Sequence, residues 1–325
     1  MATQSLAAAA EALIPRFQFE KLLNQDQAGR RIVLYGSIAS KPAILLAERA
    51  AFASDLGHLT TLASSLANIT NLGANDIYSW FLASSTSSSN SEATSQPPDL
   101  KLNLIYPCTE THIKKYSQQG MRMVTETPEI YVSHVRPYMQ RKRKEGRLNW
   151  VFNIIEGRTE QEQVIYREHG DEGFLLLPDL NWDRKTISSL HLLALVERRD
   201  IWSVRDLKKK HVTWVNHMRE KLLDVTVKLY PELEKDQLKL YVHYQPTYYH
   251  FHIHIVHVSL EAGGTQATGK ALGLENIIGQ LETLGDETGE AGMADVSLTY
   301  HLGEASELWT EIYQPLKEGK MPKAW

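Results

Sequence analysis

The chain has 325 residues, 42% hydrophobic and 23% charged, which suits a soluble globular protein of about two domains. Its net charge of −4 argues against a general nucleic-acid coater, which would be basic, so any phosphate site must be local. The single cysteine, Cys108, excludes an intramolecular disulfide and fits a reducing compartment, and no apolar run reaches the length that spans a membrane.

Met1 to Ile14 is alanine-rich, with Glu11 and no basic start, and reads as a tail or first helix rather than a signal peptide. Arg31 to Ser40 predicts a strand, and Lys41 to Glu48 a second strand or a helix. Leu59 to Ile69 fits either type, and Asn75 to Phe81 reads as an edge strand. Ser84 to Pro98, mostly small and polar, predicts an exposed loop. Leu102 to Tyr106 predicts a strand, and Thr109-Glu-Thr-His a capped helix start. No chemistry is legible in this first third by itself. Gln118-Gln119-Gly120 reads as a hinge, which sets domains of 1–118 and 119–325.

After Thr127-Pro128 a helix is expected over Tyr131 to Lys144. Its basic end, Arg141-Lys-Arg-Lys-Glu-Gly-Arg, suits the negative pole of a helix and is a weak nuclear-import signal. Trp150 to Ile155 and Gln163 to Tyr166 read as strands, and Gly173 to Leu180 as a buried strand ending at Pro178. Ile187, Leu190, Leu193 and Val196 have helical spacing within Thr186 to Arg199. Ser203-x-x-Asp206 resembles a capping box. Val212, Val215, Met218, Leu222, Val225 and Leu229 then mark one long amphipathic helix. Past the glycines 263, 264 and 269, Ile277 to Leu284 predicts a helix, Val296 to Tyr300 a closing strand and Leu308 to Leu316 a last helix. Strands and helices alternate as in an α+β fold.

Between these elements lies Tyr248-Tyr249-His250-Phe251-His252-Ile253-His254-Ile255-Val256. On a strand the three histidines share one face, with ends about 13 Å apart, and the three apolar residues share the other. Gln245-Pro246-Thr247 can turn the chain back to Tyr241 and Val242, which puts His243 on the incoming arm of a hairpin. His257 falls on the opposite parity and reads as structural. Three chemistries compete: scattered surface histidines, a zinc site, and nucleophilic attack on phosphorus by a neutral imidazole. No carboxylate or cysteine lies nearby in sequence to support the metal, and bulky apolar alternation disfavours a random surface.

The spacing of His250, His252, His254, Ile255 and Val256 is that of the histidine triad hydrolases and transferases. The surrounding residues resemble one branch, the scavenger mRNA decapping enzymes. The similarity is carried by His243-Tyr-Gln-Pro-Thr-Tyr-Tyr-His-Phe-His-Ile-His, Phe174-Leu-Leu-Leu-Pro-Asp-Leu-Asn-Trp and Leu104-Ile-Tyr-Pro-Cys-Thr-Glu-Thr-His-Ile-Lys-Lys-Tyr. It runs in order from about Asn75 to the C-terminus and is loose before that.

The resemblance implies a C-terminal histidine triad domain with an antiparallel sheet and helices. It also implies a smaller, strand-rich N-terminal domain exchanged between the subunits of a homodimer. The implied reaction hydrolyses the 7-methylguanosine cap of short RNA fragments or cap dinucleotides, releasing 7-methyl-GMP without a metal or other cofactor. The implied location is cytoplasmic, with the nucleus as a second site. By the same resemblance His252 is the nucleophile, His250 and His254 orient it and bind phosphate oxygens, and His243 contacts the phosphates or leaving group. Trp150 would stack on the methylated base, whose positive charge adds a cation–π attraction, and Glu160 would accept from the guanine edge. Asp179 and the Pro178 carbonyl would form the other side of the cap pocket, with Tyr249 nearby. Asn75 would come from the N-terminal domain as it closes, and Lys115 and Lys270 would lie near the phosphates. The family usually has lysine where this chain has Asn181, which replaces a charge with an amide. Two alternatives remain: a cap-binding regulatory relative with weak catalysis, and a general dinucleoside-polyphosphate hydrolase of the same superfamily.

Overall fold

The computed structural model of the chain describes residues 11–26, 30–75, 77–85, 98–146, 148–179, 182–285 and 287–324. It divides into two compact units, Met1–Gln25 with Gly29–Gln118, and Asp26–Ala28 with Gln119–Trp325.

The smaller unit holds two antiparallel three-stranded sheets. The first comprises β1 (Gln18–Gln25), β2 (Arg31–Ile38) and β3 (Lys41–Glu48), so Lys41 to Glu48 is strand rather than helix. Helix α1 (Leu56–Leu62) leads to β4 (Ala67–Asn75), β5 (Tyr78–Ser84) and β6 (Leu100–Ile105). The expected edge strand is in fact β5, the middle of its sheet, pairing on both sides. Helix α2 (Glu110–Tyr116) starts where Thr109 and His112 cap each other reciprocally. Phe19, Leu22, Ile44, Leu46, Ile69 and Leu72 are exposed on these strands.

In the larger unit β7 (Met121–Glu126) pairs much later with β14 (Leu298–Gly303). Helical turns at Pro128–Ile130 and a wide π segment at Tyr131–Val135 run into α3 (Arg136–Lys144). Its basic end is built into the fold. Lys142 is buried against Glu307 at 2.6 Å, Arg141 also pairs with Glu307, and Arg143 donates to the Tyr249 carbonyl.

Trp150 to Ile155 is not a strand but helix α4 (Asn149–Ile155). Its β-branched and aromatic residues suggest a strand, yet it buries Val151, Ile154 and Ile155, three and four apart, which is one helical face. Gly157, at φ +78°, ends it in the left-handed conformation that glycine tolerates.

A six-stranded antiparallel sheet forms the centre, in the order β13-β11-β12-β10-β9-β8. Its strands are β8 (Tyr166–Glu168), β9 (Phe174–Pro178), β10 (His191–Val196), β11 (Leu238–His243), β12 (His252–His257) and β13 (Ala271–Gly273). Here the expected helix at 186–199 is β10, a central strand with Leu192 to Val196 all buried. A strand covered on both faces is apolar at every position, so helical spacing can be picked out of it by chance.

One face of this sheet packs Leu176, Leu192, Ala194, Ile253 and Ile255 against α5 (Val212–Leu229) and α6 (Leu274–Thr283). The other face places Leu175, Leu177, Leu193 and Leu195 under α4. The chain closes with a π segment at Trp309–Tyr313 and α7 (Gln314–Lys317). No helix among the described residues is long and apolar enough to cross a membrane.

Candidate active site

Strand β12 sorts its side chains by parity. Phe251, Ile253 and Ile255 enter the core beneath α5 and α6, and His254 pairs across the sheet with Leu193 and His252 with Leu195. Cross-strand partners share a face, so His252 and His254 lie on the α4 side. The loop 244–251 joins β11 to β12 and holds His250 just before the strand.

Each ring has one nitrogen held by the protein. His252 Nδ1 donates to the His250 carbonyl at 2.8 Å, which leaves a lone pair on Nε2. His250 Nε2 donates to the Val196 carbonyl at 2.8 Å, and His243 Nε2 to the Thr265 carbonyl at 2.9 Å. His254 Nδ1 meets His191 Nε2 at 3.0 Å, while its Nε2 is buried with no hydrogen-bond partner among the described residues. Burial favours the neutral imidazole. It pushes His250, His252 and His243 down to about 4, the last helped by nearby Lys270, and lowers His254 further still. The cluster is therefore a set of neutral, oriented imidazoles at ordinary pH, and His252 offers a free nucleophilic nitrogen.

Aromatic rings line the approach. Tyr248 stacks on His252, with ring centres 4.4 Å apart and planes 20° from parallel. Trp150 meets Tyr248 edge-on at 5.0 Å and leaves 44% of its surface exposed. Helix α4 produces this geometry: its buried face grips the sheet, and Trp150 projects beside the histidine row. A flat, exposed indole next to a nucleophile can take a stacked base.

Pro178 ends β9, and the Asp179 amide donates to the His191 carbonyl at 2.9 Å. Lys270 donates to the Gln245 carbonyl at 2.5 Å, and burial lowers its pKa. Glu160 is exposed on the loop after α4, at φ +54°, and none of its described contacts reaches the histidines. Tyr249 is buried beside the loop residue Gln245. Its hydroxyl donates to Gln245 at 3.1 Å and its ring packs edge-on against Tyr138, in the core. Its neighbour Tyr248 takes the place beside His252. Asn75 ends β4 and Lys115 lies in α2, both in the smaller unit, where only their backbone is described. Asn181 lies outside the described residues.

His243, His252 and His254, and likewise Asp179, His191 and His254, bring potential metal-ligand atoms within 4.8 Å of one another. The 3.0 Å contact between His191 and His254 fits a hydrogen bond better than shared coordination. Two nitrogens on one tetrahedral zinc, each at 2.0–2.1 Å, stand about 3.3 Å apart.

Sequence reasoning missed the support beneath the loop. Glu126, fully buried, accepts from Arg205 Nε at 2.8 Å and from the hydroxyls of Tyr244 at 2.5 Å and Tyr300 at 2.6 Å. Gln245 reaches the same carboxylate at 3.3 Å. This network fixes Tyr244 and Gln245, the first residues of the loop that presents Tyr248. Arg205, Tyr244, Gln245 and Tyr300 lie 79 to 174 positions from Glu126, so no local pattern signals them.

Comparison with known proteins adds an independent line. Residues 12–119 match the family model described as scavenger mRNA decapping enzyme (DcpS) N-terminal, and residues 149–269 the model described as scavenger mRNA decapping enzyme C-term binding. The chain is 39% identical to an m7GpppX diphosphatase of Schizosaccharomyces pombe, over 95% of this chain and 97% of that protein. It is 36% identical to the m7GpppX diphosphatase of Ascaris suum, over 83% and 86% of the two chains. For that of Caenorhabditis elegans the identity is 33%, over 82% of each.

Proposed function

The chain belongs to the scavenger mRNA decapping enzyme family, and from that premise we propose that it hydrolyses the cap of short capped RNA fragments or cap dinucleotides. The observation that carries this reading is the free Nε2 of His252, left open because Nδ1 donates to the His250 carbonyl, and reached past Tyr248 from the exposed Trp150. The Nε2 lone pair attacks the phosphorus nearest the methylguanosine, forming a P–N bond. The P–O bond to the bridging oxygen breaks, and that oxygen leaves on the nucleoside diphosphate or 5′-diphosphate RNA. Water then attacks the same phosphorus, the P–N electrons return to His252, and 7-methyl-GMP is released with the water proton passing to solvent.

In this reading Trp150 stacks on the base and Glu160 accepts from its Watson–Crick edge. Pro178, Asp179 and Asn181 form the opposite wall, and Lys270 and His243 lie near the phosphates. Asn75 and Lys115 reach the site from the first domain on closure, with the boundary near Gln118 as hinge. The exposed apolar residues on the N-terminal sheets support a homodimer built through this domain, with the segment exchanged between subunits. Light scattering at twice the 36.9 kDa chain mass would support the dimer, and a monomer would remove it. The cytoplasm is the proposed location, since Arg141 and Lys142 of the basic run are tied up in ion pairs with Glu307; a strictly nuclear fluorescent fusion would overturn that.

The deciding experiment incubates the protein with methylated and unmethylated cap dinucleotide, with and without chelator. Release of 7-methyl-GMP from the methylated cap, undiminished by chelator, is expected. Equal turnover of both caps would indicate a general dinucleoside-polyphosphate hydrolase. Tight binding without turnover would indicate a regulatory cap-binding protein.

A further inference from the structure

His191 begins β10, two residues before Leu193, and Leu193 is the cross-strand partner of His254. Strand alternation therefore puts His191 on the histidine face, one step along the sheet. The rings of His191 and His254 lie 5.2 Å apart, with His191 Nε2 at 3.0 Å from His254 Nδ1. The same Nε2 stands 3.7 Å from Asp179 Oδ2, and the side chains of His191 and Asp179 are only 12% and 15% exposed. The Asp179 amide also donates to the His191 carbonyl at 2.9 Å, so backbone and side chain hold the two residues together. Nothing in the triad spacing involves His191, which lies 63 positions from His254.

The direction of the His191–His254 bond follows from what surrounds it. An ionised carboxylate is an acceptor only, so it favours a proton on the nitrogen that faces it. That nitrogen is His191 Nε2. With the proton there, His191 donates and His254 Nδ1 accepts. A neutral imidazole carries one N–H, so the His254 proton must sit on Nε2. The reverse tautomers would set a lone pair of His191 against the Asp179 carboxylate. His254 Nε2 is buried without a partner among the described residues, and an N–H there is available to an incoming acceptor.

We propose that His191, anchored by Asp179, is a positioning residue that fixes the tautomer of His254, so that His254 presents Nε2–H to a phosphate oxygen. This rests on the cap-hydrolysis reading for the identity of the acceptor. The row then has complementary members: His252 brings a lone pair to phosphorus, and His254 brings a hydrogen-bond donor to an oxygen of the same phosphate. The donor steadies negative charge as the P–N bond forms. The bridging oxygen departs as already described, and His191 gives up no proton.

The test uses the full chain labelled with 15N in its histidines. Nitrogen shifts of His254 in the substrate-free protein are expected to report the Nε2–H tautomer. An Nδ1–H tautomer in the wild type would overturn the proposal, whether or not the protein hydrolyses caps. His191→Phe keeps ring volume and removes the donor, and His191→Gln keeps an N–H at similar reach. For His191→Phe, kcat on methylated cap dinucleotide should fall at least about tenfold, as when a functional histidine loses its tautomer partner, with KM within about threefold. His191→Gln should recover most of that loss and keep the wild-type tautomer. Wild-type kcat in His191→Phe, or equal losses in both folded variants, would overturn the assignment. Failure of the wild type to turn over any cap would instead refute the functional reading, and the tautomer measurement would still decide this one.

Discussion

Glu126→Ala should be the most damaging single change outside the histidine row. Glu126 and Arg205 are both fully buried, with Arg205 Nη2 2.7 Å and Nε 2.8 Å from the carboxylate. Truncation leaves a guanidinium in the core with only neutral acceptors, the backbone carbonyls of residue 126, Met293 and Val296 and the Tyr244 hydroxyl. Breaking a buried pair from one side costs about 3–5 kcal/mol. Tyr244 also loses its 2.5 Å acceptor, while Tyr300 and Tyr313 keep one another at 2.7 Å, so about 1 kcal/mol more is expected. The total, about 4–6 kcal/mol, compares with a usual domain stability of about 5–15. For a domain of this size each kcal/mol moves the midpoint by about 2–4 °C, giving a fall of about 8–24 °C. Glu126→Gln keeps one acceptor oxygen and should lose roughly half as much. Urea unfolding of the full chain, following the transition of the larger unit, measures both. A loss under about 1 kcal/mol for Glu126→Ala would refute the idea that this pair anchors the loop.

Trp150→Ala should weaken binding of methylated cap dinucleotide by about 1–3 kcal/mol, read by fluorescence titration, with little change in stability because the indole is half exposed. Equal binding by the variant would remove the stacking role. The pH dependence follows from His250 and His252, whose folded pKa of about 4 lies below the ordinary 6.5. The unfolded chain binds more protons, so their contribution is full above pH 6.5 and is lost as pH falls from 6.5 toward 4. Denaturation midpoints across pH 4 to 8 check this, and stability rising on acidification would contradict it. Because His252 stays neutral, kcat/KM should show no inflection near pH 6.5 from the nucleophile, which initial rates between pH 5 and 8 test. Asn181→Lys should raise kcat/KM about fivefold at low salt and less at high salt, from the gap between charged and neutral hydrogen bonds. No change at either ionic strength would mean that residue 181 does not face the substrate.

The parts of the site that were legible in sequence are those set by local periodicity. Alternation of His252, Ile253, His254 and Ile255 on one strand follows from the pleat, and the helical spacing of Val212 to Leu229 from one buried face. The parts that were not legible depend on partners distant in sequence. Trp150 looks like a strand residue until the sheet beneath α4 selects Val151, Ile154 and Ile155 as the buried set. β10 looks helical because burial on both faces erases the period of two. Tyr248 and Tyr249 are chemically equal neighbours, and only the loop path sends one to His252 and the other to Tyr138. His191 becomes part of the site through sheet register alone. The family resemblance supplied roles for Trp150 and Asp179, but not the helix that presents the first or the imidazole that faces the second.

The central claim is that His252 attacks the phosphate. It is tested most directly by turnover of methylated cap dinucleotide by His252→Asn, measured beside cap affinity in the same preparation. The account predicts cap affinity near that of the wild type with hydrolysis abolished, because asparagine offers no nucleophilic lone pair. Turnover within tenfold of the wild type would contradict it.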